Sequence, residues 1–263
     1  MKKTCIFCAR RANTDEDVIP RWILRLLQKH EGELVRMRTS RFDREPQEQL
    51  AGESIQKVKS VCGQCNNGWM SRLEDEVKPI MTPMILGNAV TLTAKQQERI
   101  TTWMTKCAMV FESMATGEVL YNNLDRQHFR KTGSPLSATS AWLGQYTGGV
   151  RIIPNYRLLS RQQKDGGTVK VLVLTLVWGE LALQLTCAKW TQEISYIEIP
   201  TFILTDTKSL LVEVWPVNLL GVHWPPLCSF DDENNRIRYL IARFDEKNFA
   251  SPLKGSRSPK PAP

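Results

Sequence analysis

Two Cys-x-x-Cys pairs in the first quarter of the chain, Cys5 with Cys8 and Cys62 with Cys65, most constrain how it can fold. Four thiolates in two such pairs are the ligand set of a tetrahedral structural zinc, which has no open position for catalysis. Four separate buried thiols are the alternative. The repeated spacing favours one shared zinc, which would hold two segments that are far apart in the sequence against each other. A hairpin and a helix must then fill the gap between the pairs.

Helices are predicted after each cysteine pair. Pro20 suits the first turn of a helix, where its missing N–H costs nothing, and Gly32 suits the end of that helix. A second helix is predicted over residues 68–77. Pro79 would stop it, so that residues 79–92 form a connection.

Further elements are predicted on both sides of this connection. Residues 33–38 and 54–61 have the composition of extended segments. Thr93 and Gln96 form a capping box that opens the clearest helix of the chain, and a short polar helix is predicted over residues 124–131.

The part of the chain after about residue 138 is typical of a sheet. Its short runs of Val, Ile, Leu and aromatic residues are separated by Gly, Pro, Asn and Asp, which predicts an antiparallel sheet or a small barrel. The strongly apolar residues 168–187 are weighed against a membrane span. Lys170 and Glu180 interrupt them and their β-branched content is high, so we interpret them as two buried strands with a tight turn at residues 178–180.

These patterns predict an α+β protein in three parts. Residues 1–85 would form a zinc-knuckle module, and residues 86–250 a helical segment followed by an antiparallel β-rich module. Residues 251–263 carry Pro, Ser and basic residues without acids and are predicted to be a disordered basic tail. No long linker separates the first two parts, so we expect them to pack on one another.

Side chains with oxygen ligands adjoin both cysteine pairs. Glu16 and Asp17 follow the first pair, and Asn66 directly follows Cys65. A shared zinc would bring them to the entrance of the next helix, a place that favours phosphate. Mg²⁺ prefers such oxygen ligands, and phosphodiester hydrolysis needs a cation and a base for the attacking water. The acids could equally complement a helix N-terminus, and Asn66 could be a turn residue. Glu74 is a more remote candidate ligand and is interpreted as a solvated helix position.

The sequence around these residues is similar to the zinc-knuckle type of HNH (ββα-metal) endonucleases. The resemblance is carried by the first Cys-x-x-Cys pair, by Glu-Asp-Val-Ile-Pro at residues 16–20 and by Cys-x-x-Cys-Asn-Asn-Gly-Trp at residues 62–69, and it covers roughly residues 4–80. It implies a zinc-stapled ββα-metal module in which Glu16 ligates a divalent cation and Asn66 completes the metal site or pins the loop. Asp17 stands where the family has its general-base histidine, and aspartate, with an ordinary pKa of about 3.9, is the weaker base.

The resemblance therefore implies a metal-dependent endonuclease acting on nucleic acid, on DNA before RNA. Glu16, Asp17 and Asn66 would be catalytic, Zn²⁺ structural, and Mg²⁺ or another divalent cation catalytic. The alternative is a catalytically impaired HNH-fold module that binds nucleic acid or a partner protein. Prokaryotic proteins of this kind often belong to defence systems or mobile elements. A main activity in the C-terminal sheet is a weaker possibility, because residues 138–250 show no nucleophile–base constellation.

The charge of the chain favours polyanionic partners, since its formal net charge is +8 and its pI is near 9.2. Arg10, Arg11 and Arg21 flank the predicted metal site and are the candidate phosphate contacts. Residues 86–250 would recruit the substrate, regulate, assemble a homo-oligomer or bind a partner protein. No membrane partner is expected.

The remaining cysteines and the first residues bear on the compartment. Two lysines follow Met1 without an apolar stretch, which predicts no secretory signal, and a reducing cytoplasm suits thiolate zinc ligands. Cys107, Cys187 and Cys228 lie in or near apolar runs and are predicted to be buried thiols.

Overall fold

The computed structural model of the protein describes residues 3–32, 35–39, 47–50, 57–115, 117–162, 167–190 and 210–231. The helices are α1 (Arg21–Glu31), α2 (Gly63–Cys65), a π-helical turn (Asn66–Met70), α3 (Ser71–Ile85), α4 (Ala94–Glu112) and α5 (Asn123–Thr132). The strands are β1 (Thr14–Asp17), β2 (Arg36–Thr39), β3 (Gln47–Leu50), β4 (Lys57–Val61), β5 (Val90–Leu92), β6 (Thr139–Gln145), β7 (Ile152–Gln162), β8 (Thr168–Trp178), β9 (Leu181–Trp190), β10 (Leu211–Trp215) and β11 (Val222–Trp224). The structure is thus mixed α+β, and the tail predicted over residues 251–263 lies outside the described residues.

Strands β1 and β4 form an antiparallel pair beside the second cysteine pair. Thr14 lies opposite Val61 and Asp17 opposite Lys57. Directly after β4 the chain enters α2, the π-helical turn and then α3. The β1–β4 pair and the helix that follows β4 therefore carry the segments that adjoin the two cysteine pairs.

Helix α1 begins after Pro20 and ends before Gly32, as predicted. Gly32 has a φ of 91°, which an L side chain rarely adopts. Ile23 and Leu27 are fully buried, and they anchor the helix in the core.

Helix α3 continues past Pro79, so the prediction that this proline stops the helix was wrong. Leu73, Val77, Met81 and Met84 are buried at intervals of three or four residues and form one apolar stripe through the proline. A proline inside a helix costs about 3 kcal/mol. Burial of each methionine beyond it stabilises the fold by roughly 1.5–3 kcal/mol. Tertiary burial therefore overrides the local penalty, and the predicted connection at 79–92 shrinks to residues 86–89.

Helix α4 is the central helix of the described structure. The predicted capping box is confirmed: Gln96 N donates to Thr93 Oγ1 at 3.3 Å, and Thr93 N donates to Gln96 Oε1 at 2.9 Å. Every residue from Ile100 to Glu112 is buried, as expected for a helix enclosed on all sides. Lys106 lies within this enclosed segment.

A seven-stranded sheet packs against α4, with the strand order β10-β6-β9-β8-β7-β2-β3. Strands β8 and β9 form the predicted hairpin, in which Trp178 pairs with Leu181. No helix in the described part of the chain is both long and apolar enough to cross a membrane. Strand β2 pairs in parallel with β7, Met37 opposite Ile152, so strands from both predicted modules share this sheet. Buried side chains from both also belong to one core cluster.

The cysteines outside the two pairs differ in burial. Cys107 and Cys187 are buried, as predicted, whereas Cys228 is exposed. The prediction was wrong for Cys228 because the apolar residue beside it, Leu227, itself lies at the surface with 97% of its area exposed.

Candidate metal centre and acidic cleft

The four cysteines of the two pairs converge, as the spacing predicted. The sulfur atoms of Cys5, Cys8, Cys62 and Cys65 all lie within 4.8 Å of one another, and Cys8 Sγ is 3.5 Å from Cys62 Sγ. Zinc–sulfur bonds of about 2.3 Å in a tetrahedron place the sulfurs about 3.8 Å apart. The cluster could therefore hold one metal ion and is compatible with structural zinc.

Short-range backbone hydrogen bonds shape the two knuckles. Ala9 N donates to Cys5 O at 3.1 Å, and Ala9 has a φ of 58°. Asn66 N donates to Cys62 O at 3.0 Å. Ile6 N donates to Ser60 O at 2.9 Å and so joins the first knuckle to the end of β4. Local turns thus direct the sulfur atoms of each pair toward those of the other pair. The hydrogen bond from Ile6 N to Ser60 O joins the two segments, which are far apart in the sequence.

The thiols of the cluster differ in how readily they ionise. Burial raises the pKa of the Cys5 and Cys65 thiols. Burial also opposes ionisation of Cys62, but hydrogen bonds from Cys65 N–H and from the neighbouring thiols outweigh it and lower the pKa of Cys62 to about 7. A bound metal deprotonates its thiol ligands outright. Close-packed thiols of this kind fit zinc as a soft donor set, with no further residue required.

A second feature is an open cleft with a volume of about 290 Å³ beside the cysteine cluster. The residues lining it are Asp15, Glu16, Asp17, Pro20, Arg21, Trp22, Arg25, Asn66, Asn67, Met70, Ser71, Glu74 and Lys78. The three residues that the sequence singled out as catalytic therefore line one cleft, together with Arg21. Arg10 and Arg11 are exposed on the first knuckle and are not among the residues that line it.

The carboxylates of Glu16 and Glu74 share one buried ammonium group. Lys106 Nζ donates to Glu16 Oε1 at 3.2 Å and to Glu74 Oε1 at 3.2 Å. Glu16 is only 7% exposed and Lys106 only 2%. Burial raises the pKa of the Glu16 carboxyl, although the charge of Lys106 acts against this. Glu74 is therefore not the solvated helix position predicted from the sequence.

Sequence reasoning missed Lys106, although a signal for it exists. It interrupts the apolar face of α4 between Met104 and Cys107, where a lysine is almost never fully buried unless it is paired. A lysine at such a position indicates that acidic residues elsewhere in the chain pair with it. It does not say which acids they are.

The other two predicted catalytic residues are also engaged. Asp17 Oδ2 lies 2.9 Å from Arg21 Nε. Asn66 Nδ2 donates to Asp15 O at 3.2 Å and lies 3.5 Å from Thr14 Oγ1. Both contacts use the Nδ2 amino group of Asn66 and hold its side chain against β1.

The cleft offers carboxylate and amide oxygens, the ligand chemistry of Mg²⁺. However, among the described residues the four cysteines are the group in which three or more Cys, His, Asp or Glu side chains converge. The acids that line the cleft do not form a second group of this kind. The three histidines of the chain, His30, His128 and His223, do not line the cleft. The residues present therefore do not form a ready divalent-cation site, because a lysine ammonium already holds two of the carboxylates.

Comparisons of this chain with models of known protein families, with curated proteins and with solved structures give no match.

Proposed function

We propose that the N-terminal part of this chain is an HNH-like, zinc-stapled module that binds nucleic acid and has lost efficient metal-dependent hydrolysis. The observation that carries the proposal is that both acids expected to be catalytic are ion-paired: Glu16 with the buried Lys106, and Asp17 with the exposed Arg21. The antiparallel β1–β4 pair, the helix after it and the cysteine cluster support the ββα assignment. On this proposal the scaffold is retained, while the acids that would react are paired with a lysine and an arginine.

The basic side chains of α1 supply a surface for phosphates. Arg21, Arg25 and Lys29 are exposed and lie four residues apart, so they form one row about 12 Å long on the helix. Arg21 and Arg25 also line the cleft, which joins the row to the predicted site. Phosphate contacts of this kind give salt-dependent and largely sequence-independent affinity.

The second candidate is the metal-dependent endonuclease implied by the resemblance. It is favoured by one observation, that Glu16, Asp17 and Asn66 line the same cleft. A divalent cation would supply charge neutralisation at the scissile phosphate. Asp17 would accept the proton of the attacking water, and its ion pair with Arg21 would first have to break. Removal of a general base reduces the rate by about 100- to 10,000-fold, which is the upper limit of the loss when aspartate replaces histidine.

Binding is tested by charge reversal on the row. The double variant Arg25→Glu/Lys29→Glu should weaken gel-shift affinity for duplex DNA by at least about tenfold at 50 mM salt, and it should lower the salt slope by about one for each phosphate that the protein no longer neutralises. The matched control is Arg130→Glu/Lys131→Glu on α5, which changes the net charge equally at exposed positions. Equal effects of the two variants would rule out a specific basic row.

Hydrolysis is tested on the same preparations with supercoiled plasmid and Mg²⁺ or Mn²⁺. The proposal expects a gel shift with no nicking above that of the Glu16→Gln variant. Nicking that needs the metal and disappears in Glu16→Gln would instead establish the second candidate. A protein that neither shifts nor nicks DNA or RNA would overturn both.

A further inference from the structure

We propose that Lys106 is the resident cation of the Glu16–Glu74 pair and excludes divalent metal ions from the cleft. This inference goes beyond nucleic-acid binding and does not depend on it. It concerns which cation balances the acids of the site. The proposal rests on the position of one side chain that belongs to neither cysteine pair nor to the segments between them.

Lys106 approaches the acids from the side of the core. It projects from the enclosed helix α4, and its Nζ lies 5.7 Å from the centroid of the Trp103 ring. Glu16 and Glu74 line the cleft, whereas Lys106 is not among the lining residues. The ammonium thus lies behind the two carboxylates, and each of them turns its Oε1 atom toward it.

The burial of Lys106 makes its displacement costly. A buried ammonium that loses its partners is an uncompensated charge, which proteins avoid. A divalent cation that reached the same carboxylates with Lys106 still in place would meet its positive charge at close range. Displacement of Lys106 and repulsion by it would both weaken the binding of a divalent metal ion. Lys106 therefore supplies the acids of the cleft with a monovalent cation that belongs to the protein.

The inference is tested by Mn²⁺ binding to the zinc-loaded full-length protein, followed by electron paramagnetic resonance and calorimetry. Wild type and Glu16→Gln should bind Mn²⁺ equally weakly, since Glu16 is not available to the metal. Removal of the ammonium in Lys106→Met should tighten Mn²⁺ binding by at least about tenfold. The double variant Glu16→Gln/Lys106→Met should lose that gain.

Lys78→Met is the matched control, because Lys78 also lines the cleft but bonds to Asp75 at 2.9 Å and not to the buried acids. It should leave the Mn²⁺ affinity within about threefold of wild type, since exposed charges are screened. Lys106→Gln, which keeps an uncharged donor, is the second variant in case Lys106→Met does not fold. Mn²⁺ should restore folding to either variant.

Three results would overturn the proposal. The first is wild-type Mn²⁺ binding that falls tenfold in Glu16→Gln. The second is a folded Lys106→Met that binds Mn²⁺ no better than wild type. The third is failure of both Lys106 variants to fold even with Mn²⁺ present. None of these results bears on the gel shift, so nucleic-acid binding is tested separately, whereas the proposed loss of metal-dependent hydrolysis rests on the same Glu16–Lys106 pair.

Discussion

The cysteine cluster and the acidic pair are two sites that demand a cation, and they obtain it in different ways. The cluster gathers four thiols whose sulfurs lie within 4.8 Å of one another. The acidic pair gathers Glu16 and Glu74 around Lys106 at 3.2 Å from each. The first site is compatible with an ion taken from solution, whereas the second receives a cation from the protein itself.

The difference shows how sequence separation shapes what each site can do. Each cysteine pair is local, so its geometry follows from a short turn and accepts an external ion. The partners of Lys106 lie 90 and 32 residues away in the sequence, so that pair forms only when α4 packs against β1 and α3. The acidic pair therefore reports on the packing of α4 against the N-terminal part of the chain, and the cysteine cluster does not.

The largest expected effect is on the cysteine cluster. The Cys62→Ser variant should lose its bound zinc, and its N-terminal part should no longer unfold cooperatively. The reason is that structural zinc contributes on the order of 10 kcal/mol to the free energy of folding, which is comparable to the whole stability of a domain. Zinc content by atomic absorption and thermal unfolding by circular dichroism measure this. Cys228→Ser, at an exposed thiol, should keep zinc and remain within about 0.5 kcal/mol of wild type. A zinc-replete, cooperatively folding Cys62→Ser would show that the thiolates are not the ligands.

A smaller effect is expected at the acidic pair. Lys106→Met should lower the free energy of unfolding in urea, measured without divalent metal, by about 3–5 kcal/mol, because it leaves two acids without their cation. The triple variant Glu16→Gln/Glu74→Gln/Lys106→Met should recover more than half of the loss, since no unpaired charge remains. If the triple variant is as unstable as the single one, lost packing of the lysine stem and not charge determines the effect.

The smallest effect is the pH dependence of the same pair. Burial raises the pKa of Glu16 above its ordinary 4.5, so the folded state holds that proton more tightly than the unfolded state. The resulting stability is present below pH 4.5 and is lost as the pH rises through the folded pKa. The difference in free energy of unfolding, wild type minus Glu16→Gln, should therefore fall over the pH interval just above 4.5.

Glu98→Gln, at an exposed acid of α4, is the matched control, and the titration of Glu16 is assigned from the part of the pH dependence that Glu16→Gln changes and Glu98→Gln does not. Urea titrations at half-unit pH steps measure both variants. A wild-type advantage that grows with pH over the same interval would mean that the Lys106 charge outweighs the burial of Glu16.

Much of the local structure could be predicted because it depends on near neighbours. Three such features depend on residues only a few positions apart: the capping box at Thr93 and Gln96, the end of α1 at Gly32, and the hairpin between β8 and β9. The failure at Pro79 has the opposite cause. Its local penalty is real, but buried methionines further along α3 outweigh it, and only the packed core shows that they are buried.

The cysteine spacing alone determined that residues 5–8 and 62–65 would meet, because four thiols in two local turns share one natural ligand geometry. It also brought Glu16, Asp17 and Asn66 to one cleft, since each lies within a few residues of an element that the cluster positions. Only the tertiary structure decided that Lys106 holds Glu16 and Glu74. A buried charge selects its partners by proximity in space, and which acids come close to α4 is settled by how α4 packs against β1 and α3.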